Sequence, residues 1–347
     1  MRTIKKKAMS ARILLPALLL ASGLPAVTVS CSGTIHETAG DNVISFSSAV
    51  ETKSPIESIN DISQFAVWGY YDDGNGHYID VFGQIGTENT SVEVRNETGI
   101  WVYDDVKMWQ FGKTYNFHAV FPTDLKHVVE VPDAESSPFL SILDYDVKHS
   151  GMDVMVAESK GIIYPEGSRP SPVALAFKHL LTRIEFIGKI DDATAANLPG
   201  FKATIISARL YGLYQEGHFP EKHGEDDLAD ISWGFVSGTQ TTSDNPFINI
   251  SGIEMETSGT SLFGGEFFVF PSKSLTEYVL HIEWRAGLDG TMRTESQDII
   301  LSSASRTWDA GKKYTYTFNI SDTDHILFDT PAVQEWDDAA GGIIIVD

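Results

Sequence analysis

From Val43 to Ile320, apolar side chains fall at close to every second position, and no window of about 15 residues beyond the leader carries a helical stripe. Such spacing suits strands, whose side chains alternate between two faces. Val43, Ile44 and Phe46 open the first strand. Phe65 and Val67 then alternate with Ala66, Trp68 and Tyr70, so both faces are apolar, as in a strand inside a sandwich. Asp72-Asp73-Gly74-Asn75-Gly76 is a hairpin turn signal, and it lacks the ligand spacing and closing Glu of a calcium loop. Further strands are predicted at 100–103, 115–119, 201–211, 231–236, 247–250, 266–270, 278–284, 299–301 and 314–320. The stretch 133–150 reads as a loop with a helical turn. Val173, Leu175 and Phe177 alternate in odd register, and Ile184, Phe186 and Gly188 in even register, which predicts one long strand with a bulge near 180–182.

The first 30 residues do not belong to this pattern. Arg2, Lys5, Lys6, Lys7 and Arg12 precede the short apolar run 13–20, and small residues lead to Cys31, the sole cysteine. That order is a secretory signal, and the apolar run falls well short of the roughly 20 residues of a spanning helix. A lone cysteine in an exported chain has no internal disulfide partner. Cys31, directly after Ser30, resembles a bacterial lipoprotein processing site, where the thiol is acylated and becomes the new N-terminus. Loss of the leader removes five of 25 basic residues and none of 48 acidic ones, leaving a net charge of −28. Such a surface repels nucleic acid, so nucleic-acid partners are excluded. The mature length divides into 31–168, 169–325 and a tail, 326–347, with the boundary in the Pro- and Gly-containing stretch 164–170.

Catalytic patterns are lacking. His118, His127, His149, His179 and His218 are scattered without metal-ligand spacing, and no nucleophile elbow, P-loop or dinucleotide fingerprint occurs. Neither an enzyme nor a cofactor is predicted. Trp68, Trp101, Trp109, Trp233, Trp284, Trp308 and Trp336 fit core positions, with a sugar-stacking face as the rival reading.

The two ends of the mature chain carry more information. Ile343, Ile344, Ile345 and Val346 form a flat β-prone run at the C-terminus, with Ile326 and Phe328 in a preceding segment. An exposed strand of this kind pairs with whatever edge is offered. It covers an edge of its own domain or is donated to another subunit. At the other end, Lys53 is the one basic residue between Cys31 and Arg95, so a trypsin-like protease would cut between Lys53 and Ser54. That cut frees Val43, Ile44 and Phe46 and opens a groove for a donated strand.

Several stretches resemble the fimbrillin family, the Mfa-like pilins of type V pili. They are Phe65-Ala66-Val67-Trp68-Gly69-Tyr70-Tyr71, Met108-Trp109-Gln110-Phe111-Gly112-Lys113-Thr114-Tyr115, Val173-Ala174-Leu175-Ala176-Phe177-Lys178-His179 and Lys313-Tyr314-Thr315-Tyr316-Thr317-Phe318. The resemblance implies an all-β chain of two tandem transthyretin-like β-sandwich domains with a C-terminal strand extension. It further implies a lipoprotein precursor carried to the outer membrane, cut by a trypsin-like processing protease and polymerised with other pilin subunits into a cell-surface fimbrium. Cys31 would carry the lipid, Val43, Ile44 and Phe46 would be displaced, and Ile326, Phe328, Ile343, Ile344, Ile345 and Val346 would form the donor. The alternatives are a glycan-binding outer-membrane lipoprotein and a non-polymerising anchor or tip subunit of the same pilus.

Overall fold

The structure is a computed structural model that describes residues 42–50, 62–131, 137–164, 166, 170–222, 228, 231–322 and 325–335. Cys31, Lys53, Ser54, Trp336, Ile343, Ile344, Ile345 and Val346 lie outside the described residues.

The first half of the chain holds β1 (Phe46–Val50), β2 (Gln64–Asp72), β3 (Tyr78–Phe82), β4 (Val92–Glu97), β5 (Ile100–Val102) and β6 (Thr114–Phe121). It continues through β7 (His127–Glu130), β8 (Phe139–Asp146), the single turn α1 (Val147–Ser150), β9 (Met155–Ile163) and β10 (Val173–His179). After these come β11 (Thr182–Ile190), α2 (Asp192–Asn197), β12 (Lys202–Tyr211), β13 (Glu216–Phe219), β14 (Gly234–Phe235), β15 (Ile248–Glu254) and β16 (Thr260–Ser261). The chain closes with β17 (Phe267–Val269), β18 (Val279–Gly287), β19 (Arg293–Ile300), β20 (Lys312–Ile320), β21 (Leu327–Phe328) and β22 (Ala332–Glu335).

Four sheets result. The largest runs β1-β10-β9-β6-β2-β4-β5, with β3 also on β2, and its β1–β10 edge pair is parallel. A second runs β16-β11-β20-β21, with β17 on β11 and β22 on β20. The third, β15-β12-β18-β19, is antiparallel throughout, and the fourth is β14-β13-β8-β7. All-β architecture follows from the two-residue period.

The apolar side chains gather into two cores, and β2 feeds both. Phe65, Val67 and Tyr71 enter one with Phe82, Phe117 and Phe177, while Ala66, Trp68 and Tyr70 enter the other with Phe186, Trp284 and Tyr316. Strand pairing also joins the halves, since β8 pairs with β13. All described residues therefore fall in one compact unit.

Three sequence expectations change. The phase shift at 180–182 is a crossing between sheets rather than a bulge, because β10 belongs to the first sheet and β11 to the second. Leu180 and Leu181 are buried at that crossing, so β10 and β11 present their alternation to different cores. The change of sheet thus comes after the 164–170 stretch, since β9 and β10 still pair. The segment 133–150 contains a strand, β8, whose first four residues are all buried and so show no alternation. β19 begins six residues before the predicted 299, because its early residues are polar and mostly exposed. The Asp72–His77 hairpin matches expectation, with Asp72 Oδ1 accepting from Gly74 N–H at 2.7 Å and Asp73 Oδ1 from Asn75 N–H at 2.7 Å.

Candidate functional site

The N-terminal segment, 42–50, is clipped into the first core from both sides. Ile44 N–H donates to Lys107 O at 2.9 Å and Trp109 N–H donates to Asn42 O at 2.9 Å, around a bridge between Val43 and Met108. Past Ser45, whose carbonyl accepts from Val173 N–H at 2.8 Å, the segment turns parallel to β10 and pairs Phe46 with Val173 through Val50 with Phe177. Its hydrogen bonds are mostly main chain to main chain, which an apolar strand of suitable register could reproduce.

Side chains anchor it. Phe46 stands edge-on to Phe82, Tyr103 and Phe117 at centroid distances of 5.3, 5.9 and 5.8 Å, with Phe65 at 6.2 Å. The room for this cluster comes from Gly69, where an added Cβ would lie 2.7 Å from the Phe117 ring and 2.9 Å from Phe82. Tyr103 Oη donates to Ile44 O at 2.6 Å, and burial pushes that phenol up to about 12. Val43, Ile44 and Phe46 are all buried. At about 1.5–3 kcal/mol each, they contribute at most on the order of 5–9 kcal/mol. That is comparable to the whole stability of an ordinary domain, about 5–15 kcal/mol.

The opposite end is built differently. β21 and β22 fold back antiparallel on β20, pairing Phe328 with Phe318 and Val333 with Tyr314. Ile326 is buried, and its N–H donates to Gln297 Oε1 at 2.9 Å. Phe328 stacks on Phe318 at 5.4 Å. β22 is exposed along its whole length, and Lys312 Nζ lies 3.3 Å from Glu335 Oε1 at its end. In this chain Ile326 and Phe328 therefore sit on their own β20. The tail comes in two grades, an anchored first part and a loosely held second part.

One further polar cluster is internal. Tyr70 Oη lies 3.0 Å from His118 Nε2, and His118 Nδ1 lies 2.9 Å from Glu158 Oε1. Burial raises the Glu158 carboxyl, but His118 and Lys160 outweigh it and hold the group down to about 2. Among the described residues no set of three His, Cys, Asp or Glu side chains is placed to hold a metal ion. Trp68, Trp101, Trp109, Trp233, Trp284 and Trp308 are buried, which removes the sugar-stacking face from the described surface. The sequence reading missed Tyr103, Gly69 and the 107–109 clamp, none of which has a local signal.

These features describe an all-β protein of several sheets whose first strand is packed into its core. The chain belongs to the fimbrillin-like family, whose model matches residues 52–336. No curated protein matches it. A fimbrial protein from Bacteroides vulgatus is similar in structure, with TM-score 0.60 and 16% identity over 85% of this chain and 99% of that one. A candidate cell adhesion protein from Bacteroides uniformis has TM-score 0.48 and 15% identity over 85% and 98%. A fimbrial assembly protein from Parabacteroides distasonis has TM-score 0.43 and 13% identity over 87% and 98%. At such identity the first of these speaks to the fold alone.

Proposed function

We propose that the chain is a structural subunit of a bacterial surface pilus, exported as a lipoprotein through Cys31 and contributing to adhesion. Processing after Lys53 would release the segment that holds Val43, Ile44 and Phe46, and a strand from a second subunit would refill the slot. Ile343, Ile344, Ile345 and Val346 supply that donor, with Ile326 and Phe328 as its root on the parent subunit. The single observation that carries this reading, beside family membership, is the attachment of 42–50. Its backbone is paired on both sides and its side chains fill an aromatic slot, yet Lys53 follows only three residues after β1.

Brief treatment of the full precursor with a trypsin-like protease tests it. The expected product begins at Ser54 and forms ladders of multimers on a gel. Lys53→Ala is expected to stay uncut in this loop and monomeric, and deletion of 341–347 to be cut but monomeric. If the deletion variant polymerises as well as the parent, the donor assignment is wrong.

A further inference from the structure

The apolar surface of this protein is not spread evenly. Ten large apolar side chains are exposed among the described residues, and four gather at one end of the first core. They are Val106, Met108, Phe111 and Ile163, exposed by 43, 49, 54 and 57%. Two stretches meet there. The Phe111 ring stacks on Tyr164 at 4.8 Å, Gly112 N–H donates to Tyr164 O at 3.3 Å, and Ile163 pairs with Thr114. Ile79, a fifth member of the ten, belongs to the same end of the sheet, since it pairs with Tyr71 and Tyr71 with Tyr115. Patches of this kind on a single chain mark a surface that meets something.

Charge narrows the occupant. The chain is strongly acidic, but Lys107 and Lys113 lie inside this patch, with Lys113 Nζ 5.4 Å from the centroid of the Tyr71 ring. Asp104 and Asp105 stand beside it, and Asp104 is paired with Arg95 at 2.9 Å. Asp72 and Asp73 sit in the hairpin at the same end, so carboxylates outnumber lysines there and an uncharged lipid surface suits it better than an anionic one. Aliphatic and aromatic side chains interleaved with lysines are the composition that settles at a bilayer interface.

Connectivity names the occupant. The described chain begins at this same end, where Asn42 O accepts from Trp109 N–H at 2.9 Å and Val43 bridges Met108. Cys31 lies eleven residues upstream of Asn42, so extended backbone limits their separation to roughly 35–40 Å. β1 leads away from this end, from Phe46 opposite Val173 to Val50 opposite Phe177, about 13 Å at strand rise, and Lys53 follows three residues later in the sequence.

We propose that Val106, Met108, Phe111 and Ile163 form a foot that rests on the lipid surface while the precursor is anchored, standing the molecule with its Lys53 end away from the bilayer. This rests on the reading of Cys31 as the acylated residue. Contact with the bilayer then orients the cleavage loop toward solution, and cutting there parts the subunit that carries the foot from its lipidated tether.

The test uses the full lipoprotein reconstituted in neutral phosphatidylcholine vesicles that carry a spin-labelled lipid. Acylation consumes the one native thiol, so Met108→Cys, Phe111→Cys, Ile163→Cys and Asp289→Cys each accept a fluorophore at a single site. All four positions are exposed, so the fold tolerates the changes. The labels at 108, 111 and 163 are expected to be quenched several-fold more than the label at 289. Equal quenching overturns the foot. Unquenched labels that cross-link chain to chain also overturn it, in favour of a contact between copies. The mass of the N-terminal peptide separates the two readings. An unmodified Cys31 brings down lipid anchoring and the foot together, whereas an acylated Cys31 with unquenched labels brings down the foot alone.

Discussion

The two edge strands at the ends of the described chain are held in opposite ways. β1 is parallel to its neighbour and inserts Phe46 among Phe65, Phe82, Tyr103 and Phe117. β22 is antiparallel to β20 and inserts nothing, with Val333 left 51% exposed. Backbone pairing is similar at both ends. Side-chain burial is not, and the difference determines which strand is tied into the core and which lies on its surface.

Substitutions can break this comparison. The largest effect is expected for Phe46→Ala, which empties the centre of the aromatic cluster and should cost about 3–5 kcal/mol in denaturant unfolding. Phe328→Ala should cost less, about 2 kcal/mol, because the ring is only half-buried against Phe318. If it costs as much as Phe46→Ala, the first part of the tail is as integral as β1.

Tyr103→Phe comes next, since it removes the hydroxyl that donates to Ile44 O and should cost about 1 kcal/mol. The same group sets a pH limit. Burial raises its pKa to about 12, above the ordinary phenol value near 10, so its contribution is complete below pH 10 and is lost as pH rises toward 12. Unfolding midpoints of parent and Tyr103→Phe chains should therefore converge above pH 10, and parallel curves would count against this bond. Val333→Ala is expected to change stability by no more than about 0.5 kcal/mol, as befits an exposed strand.

Much of this was legible along the chain. The two-residue period announces strands, and the doubly apolar run 65–70 announces a strand between layers, as β2 is. Val43, Ile44 and Phe46 were expected to open a first strand, whereas β1 starts at Phe46 and Val43 makes an isolated bridge to Met108. What they would touch was not legible, because their partners lie at 103, 107–109, 117 and 173–177, far off in sequence. β8 was missed because burial on both faces erases alternation. The crossing at 180–181 was mistaken for a bulge because a strand that kinks and a chain that changes sheets shift phase alike.

Sequence alone therefore determined the strand-rich class, the acidic surface and the candidate ends, since these depend on residue type and spacing. The tertiary structure decided that β1 pairs parallel with β10, that β2 serves two cores, and that the tail's root folds back on β20. Those choices depend on which distant backbone meets which, and no local pattern encodes it. A strand's own residues state that it needs a neighbour, and only the packed molecule states which neighbour it has.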